Sequence, residues 1–177
     1  MDISEENLVE QLVSGNEDAY RKLLERHLPS LTGYVMRMMS SNSADAEDIL
    51  QETFLRLWTH GRRYDPKVSK LSTWLHNIAH NLCIDYFRKN NRMVLEEQPE
   101  ELTDQDAHLE NLANLENAAQ IERCMMQLPE RQRSAIIMCH YQGMSNKDAA
   151  VILGTSVEAL ESLMARGRRK LRQLLTG

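Results

Sequence analysis

Glu158, Ser162, Arg166, Arg169 and Lys170 recur at three- and four-residue intervals near the end of a 177-residue chain. That spacing lines them along one face of a helix. Their chemistry is recognition, with no bond made or broken. Arginine can pair bidentately with a guanine edge or neutralise a phosphate, and glutamate can accept from a cytosine amine. Spacing alone leaves base and phosphate both open. A second group, His76, His80 and Cys83, falls at i, i+4 and i+7. Nitrogen and sulfur donors so placed could hold zinc or a similar ion, which would make the chain a metal sensor. Three donors on one helix still need a fourth from elsewhere, and the competing reading is packing beside a core stripe. The expectation is therefore no metal and no cofactor. No phosphate-binding glycine loop, metalloprotease motif or nucleophile elbow occurs, so no enzyme is expected either.

The basic face needs an element to present it. Leu128-Pro129-Glu130-Arg131-Gln132-Arg133 opens a series of predicted helices over 130–141, 146–153 and 157–175, broken by Gly143-Met144-Ser145 and Gly154-Thr155-Ser156. Ser145 and Ser156 are helix N-caps, and Gly154 suits a left-handed exit. Ala149, Ala150 and Leu153 face inward, with Val157, Leu160, Leu163, Met164, Leu171 and Leu174 opposite. This pattern is a helix-turn-helix, a device for placing a helix in the DNA major groove. Gly167 in mid-helix costs up to ~1 kcal/mol against alanine, which a close helix crossing would explain.

Upstream, apolar spacing predicts further helices. Ser4 caps one over Glu5–Val13, and Asn16 caps the next, with a bend or restart at Pro29. Ser43 caps a third to His60, burying Ala46, Ile49, Leu50, Phe54, Leu57 and Trp58 and exposing Asp45, Asp48, Gln51, Glu52 and Arg56. A polar loop from Gly61 to Leu71 carries Arg62, Arg63, Lys67 and Lys70. Ser72 or Thr73 then caps a helix from Trp74 to Asn90 with a stripe of Leu75, Ile78, Ala79, Leu82 and Tyr86. Residues 91–105 lack periodicity, and 107–127 regain it. No strand pattern competes, so the fold class is all-α.

Charge divides the chain more sharply than its net −5 suggests. Residues 1–93 sum to −1, residues 94–120 to −8 with no basic group, and residues 121–177 to +4. The predicted organisation is two small helical domains, 1–93 and 121–177, joined by a flexible acidic linker, 94–120. No apolar run approaches the ~18–20 residues of a membrane span, so no stable membrane insertion is expected. The acidic N-terminus is no secretory signal, and a cytoplasmic location is expected. Three unpaired-looking cysteines, Cys83, Cys124 and Cys139, fit a reducing compartment.

Both halves together resemble a known family. Gly15-Asn16-Glu17-Asp18-Ala19-Tyr20, the run Asp45 to Trp58, Thr73 to Asn81 and Asp85-Tyr86-Phe87-Arg88 resemble region 2 of bacterial sigma factors. Leu128 to Arg133 with the helix-turn-helix resembles region 4. Two such regions joined only by a linker look like the sigma-70-like extracytoplasmic-function group. The resemblance implies an alternative sigma factor that binds core RNA polymerase and directs promoter-specific initiation. Asp45, Asp48, Gln51, Glu52 and Arg56 would dock on the β′ clamp helices, with further contacts to the β subunit. Arg62, Arg63, Lys67, Lys70, Asn77, Asn81 and Arg88 would meet the −10 element of promoter DNA. The helix-turn-helix face would read the −35 element. A membrane-associated anti-sigma factor would hold the protein inactive, in a stress, envelope or metal response. Binding energy for a flipped, unpaired strand would drive promoter opening against a few kcal/mol of lost stacking. Tyr64 would either stack on a base or pack the turn. The acidic tract would imitate RNA in the polymerase channel, screen the basic helix, or serve only as a spacer. His76, His80, Glu161 and Leu163 depart from residues common in this family, which bears on the promoter sequence read. The competing class is a stand-alone helix-turn-helix regulator.

Overall fold

A computed structural model describes residues 3–40, 43–90 and 115–177. The described residues form helices and connecting turns, with no strand among them. Contacts divide the chain into two compact units, Met1–Cys83 and Ile84–Gly177. The non-periodic stretch 91–105 and residues 107–114 of the predicted 107–127 helix lie outside the described residues.

In the first unit, α1 spans Glu5–Val13, and Ser4 accepts from the Asn7 amide at its N-terminus. Such a cap contributes about 1 kcal/mol. The helix ends where Gly15 takes φ +91°, and Asn16 then caps α2, Glu17–Met39. The expected break at Pro29 does not occur, and α2 runs through it. Pro29 and its neighbours Leu28 and Ser30 are exposed, so water can solvate the carbonyl group the proline leaves unbonded. Leu23, Leu31, Tyr34, Val35, Met38 and Met39 line the buried side of α2.

Helix α3, Ser43–His60, packs on α2 and buries Ala46, Ile49, Leu50, Phe54 and Leu57. Trp58 departs from the prediction and is 39% exposed. A 3-10 turn, Gly61–Arg63, follows. Helix α4 covers Leu71–Lys89, starting three residues before Trp74, with Ser72 and Thr73 inside it. Its buried stripe is Leu71, Leu75, Ala79, Cys83 and Phe87 with His76 and His80, rotated from the predicted one. Ile78, Leu82 and Tyr86 are half-exposed. The reason is chemical: two imidazoles occupy core positions that an apolar count assigns to the surface.

The second unit contains α5 (Leu115–Met125), α6 (Glu130–Ile136), a π-helical segment (Ile137–Tyr141), α7 (Asn146–Leu153) and α8 (Val157–Thr176). The final six residues of the acidic tract 94–120 thus belong to the start of α5. Helix α8 packs against α5, α6 and α7. Leu160, Leu163, Met164 and Leu171 form its buried stripe, while Val157 and Leu174 stay partly open. Gly167 is buried where α8 crosses α6: a Cβ there would lie 2.7 Å from Ile136 Cδ1. The crossing therefore needs a residue without a side chain. Among the described residues no helix is long and apolar enough to cross a membrane.

Candidate functional site

On α3, Asp48 and Gln51 are exposed, and Asp45, Glu52 and Arg56 are half-buried. Arg56 Nε donates to Glu52 Oε1 at 3.0 Å, one turn away. The sequence reading missed two neighbours. Leu55 is 52% exposed, and with Trp58 it continues the row Asp48, Gln51 at i+7 and i+10. Trp58 meets the edge of Tyr20 at 5.4 Å between centroids, and the Tyr20 hydroxyl donates to the Phe54 carbonyl at 3.3 Å. Burial raises the Tyr20 pKa above the usual phenol value. An open groove of about 500 Å³ lies here, lined by Glu17, Tyr20, Arg21, Leu24 and Trp58. Apolar side chains left in water beside charged ones are a mark of a protein-docking surface. Helical spacing from Asp48 could have found Leu55 and Trp58; hydropathy alone sent Trp58 inward.

Arg62 and Arg63 are exposed on the 3-10 turn, and Lys67 and Lys70 on the loop after it. Tyr64 anchors this loop, its ring 5.9 Å from that of Trp74 on α4. Of its two sequence readings, the geometry favours turn packing. Burial raises the Tyr64 pKa, as do the nearby carboxylates of Glu5, Glu6 and Asp65. Asp65 shapes the bend beyond: its Oδ1 accepts from the Lys67 amide at 2.9 Å and its carbonyl from the Val68 amide at 3.0 Å. The bend leaves Val68 80% exposed, a position the sequence did not single out. Asn77 is half-buried and Asn81 exposed, their side chains joined at 3.5 Å. Arg88 is exposed on the part of α4 that falls in the second unit.

His76 and His80 serve the first unit's interior. His76 Nδ1 lies 2.7 Å from the Ser72 carbonyl and its Nε2 3.4 Å from Ser30 Oγ. His80 Nδ1 lies 2.8 Å from the Tyr34 hydroxyl. They are only 2% and 6% exposed. Protein partners thus engage three of the four ring nitrogens, which speaks for packing against the metal-sensor reading. Among the described residues no cluster of three His, Cys, Asp or Glu is arranged to hold an ion.

The helix-turn-helix is built as its sequence requires. Ser145 Oγ accepts from the Asp148 amide at 3.1 Å, and Ser156 Oγ from the Ala159 amide at 3.1 Å. Gly154 takes φ +61° between them. On α8, Glu158 is exposed, and Ser162, Arg166, Arg169 and Lys170 are half-buried along one face. Arg166 Nε donates back to the Ser162 carbonyl at 3.3 Å, which fixes the stem of that side chain against the helix. Asn146 Nδ2 donates to Glu161 Oε1 at 3.4 Å, tying the two helices together at the exposed side. Arg133 is 3% exposed and turns inward, its Nη1 donating to the Met126 and Leu128 carbonyls at 3.4 and 3.5 Å. It closes the end of α5 and is withdrawn from any ligand. The Cys139 thiol is raised above its usual pKa by burial, partly countered by Arg168.

Residues 23–93 match the family model for Sigma-70 region 2, and residues 118–171 that for Sigma-70, region 4. The ECF RNA polymerase sigma factor SigM of Mycobacterium tuberculosis is 33% identical over 174 residues, covering 97% of this chain and 85% of that protein. SigE of Mycolicibacterium smegmatis is 29% identical over 161 residues, 89% of this chain, which spans 62% of the length of that relative. Among solved structures, CnrH in complex with the cytosolic domain of CnrY aligns with a TM-score of 0.71 at 29% identity, covering 96% of this chain and 95% of that one. The sigma factor RpoE of Bartonella quintana, solved with the anti-sigma factor NepR, aligns at 0.68 and 28% identity, covering 89% and 96%.

Proposed function

The chain belongs to the extracytoplasmic-function RNA polymerase sigma factors, and on that footing we propose how its surfaces divide the work of starting transcription. It is an alternative sigma factor that binds core polymerase and directs it to promoters. The stand-alone regulator reading falls away, because residues 23–93 match region 2. The α3 row of Asp48, Gln51, Leu55 and Trp58, flanked by Asp45, Glu52 and Arg56, docks on the β′ clamp helices. Its mix of carboxylates with exposed apolar side chains suits a partner offering both cations and grease.

Arg62, Arg63, Lys67 and Lys70 track the backbone of the unpaired −10 strand, and Asn77 and Asn81 address base edges, with Arg88 as a further phosphate contact. Cations along the strand and amides at the bases are the parts that single-strand capture needs. Glu158, Ser162, Arg166, Arg169 and Lys170 on α8 meet the −35 duplex. Its two capped helices on a tight glycine turn support that reading. Control by an anti-sigma protein follows the example of CnrH and of B. quintana RpoE, each solved with such a partner or its cytosolic domain. The protein acts by binding and carries no catalysis of its own. It works in the cytoplasm, in a stress, envelope or metal response.

The presence of regions 2 and 4 in order on one chain carries this reading. The test is run-off transcription from genomic fragments with core polymerase, with and without the protein. New start sites that depend on the protein are expected. Transcription identical with and without it would overturn the proposal.

A further inference from the structure

Helix α1 lies outside the residues 23–93 that match the family model, yet it is built firmly into the first unit. Leu8, Val9 and Leu12 are buried. At its start, Glu5 Oε1 lies 2.7 Å from His27 Nε2 and 3.9 Å from Arg26 Nη1, both on α2. At its end, Leu12 and Val13 close on Gly61, the first residue of the 3-10 turn. A Cβ on Gly61 would stand 2.8 Å from Leu12 Cδ2 and 3.7 Å from Val13 Cγ2. Leu12 is 2% exposed, so its methyl has little room to retreat. Gly61 is buried, and the next two residues are the exposed Arg62 and Arg63. The carboxylates of Glu5 and Glu6 also reach the field of Tyr64, just past the turn.

We propose that α1 is a brace for the cationic turn, with Leu12 and Gly61 as positioning residues for capture of the unpaired promoter strand. The proposal rests on the strand-capture role given above to Arg62 and Arg63. A cationic loop that has to order itself on binding loses part of its binding energy to that ordering. Fixing the turn beforehand removes that loss. The contact explains why glycine stands at Gly61: its φ is ordinary, and only the closeness of Leu12 forbids a side chain. Clamped to α2 at one end and to the turn at the other, α1 ties the turn to the bundle without touching the α3 docking row.

The test uses the full chain in four forms: unaltered, Gly61→Ala, Leu12→Ala, and both together. Hydrogen exchange of the free protein reads the brace itself. Gly61→Ala and Leu12→Ala should each speed exchange across 61–70 while leaving 145–175 unchanged. In the double form the new methyl fills the space Leu12 vacates, and protection should return. Holoenzyme assembled from core polymerase then reads the consequence, as permanganate reactivity of thymines in a promoter found by run-off transcription. Either single change should reduce strand opening by about fivefold or more, with affinity for core polymerase unaltered. The double form should recover most of the loss. Exchange that does not change, or a double form no better than Gly61→Ala, overturns the brace. Faster exchange with undiminished opening overturns its role in capture. Failure of the unaltered protein to open any promoter refutes the functional assignment of the turn, whereas the exchange result still decides whether α1 holds it.

Discussion

The Tyr34 hydroxyl and His80 Nδ1 meet 2.8 Å apart inside the first unit, joining α2 to α4. Tyr34 is fully buried, and its ring also stands edge-on to His76 at 5.7 Å. A buried hydrogen bond of this kind contributes about 1 kcal/mol net, and stranding one partner costs more. Tyr34→Phe should lower the urea midpoint by an amount equal to about 1–2 kcal/mol. Tyr34→Phe with His80→Phe should cost less than the two single changes summed, because the shared bond is lost only once. Strict additivity would show that the two groups do not work as a pair.

Asp48 and Leu55 sit on the outer side of α3, where substitution leaves the core intact. Asp48→Arg and Leu55→Glu should each weaken binding to core polymerase by about tenfold or more, since each inverts the chemistry of a docking row. The melting temperature and the affinity of the full chain for −35 duplex should stay the same. Anisotropy titrations with labelled core and labelled duplex separate the two activities.

Arg166→Ala and Arg169→Ala should each cost about 1–3 kcal/mol in promoter affinity where the side chain reads a base. The loss would then be larger on the cognate −35 sequence than on a scrambled one. A phosphate contact would instead weaken both alike and flatten the dependence of binding on salt. Measuring each variant on both duplexes at two salt concentrations decides between the two readings left open by spacing.

Gly167→Ala should destabilise the second unit even though alanine is the better helix former by about 1 kcal/mol. The added methyl would press on Ile136 Cδ1 at 2.7 Å and on Gln132 Cβ at 3.4 Å. Overpacking of this sort costs about 1–3 kcal/mol. Ile136→Val removes that Cδ1, so the pair should recover part of the loss in a thermal melt.

Elements with strong local signals were legible from sequence. Ser4, Asn16, Ser145 and Ser156 cap the helices assigned to them, and Gly154 makes the left-handed exit. These features are set within a few residues, so the string of side chains contains them. Gly167 was also readable, because a costly residue in mid-helix implies a close neighbour. Other features depend on partners far along the chain. Pro29 looked like a break because a proline's local cost is visible and its exposure is not. The phase of α4 was misjudged because His76 and His80 count as polar until Ser30 and Tyr34 are seen to meet them.

The candidate surfaces divide the same way. Asp48, Gln51 and the turn arginines stand in the open where the motifs put them. Leu55 and Trp58 escaped notice because exposed apolar residues look like core in a one-dimensional pattern. Gly61 gave no signal at all, since its need for space comes from Leu12, some fifty positions earlier.

The π-helical segment between α6 and α7 has a bearing on length variation. There the Gln142 amide reaches back five residues to the Ile137 carbonyl at 3.0 Å, so one residue more than an α-turn needs is housed in the coil. Removing any one of those five would let the coil tighten to ordinary pitch, and each α-helical residue accounts for about 100° of rotation. The Gly143 turn would then have to absorb that swing, or the arginine-bearing face would arrive pointing away from the groove. A single-codon deletion at this place would leave a protein that melts much like its parent and is blind to its promoter.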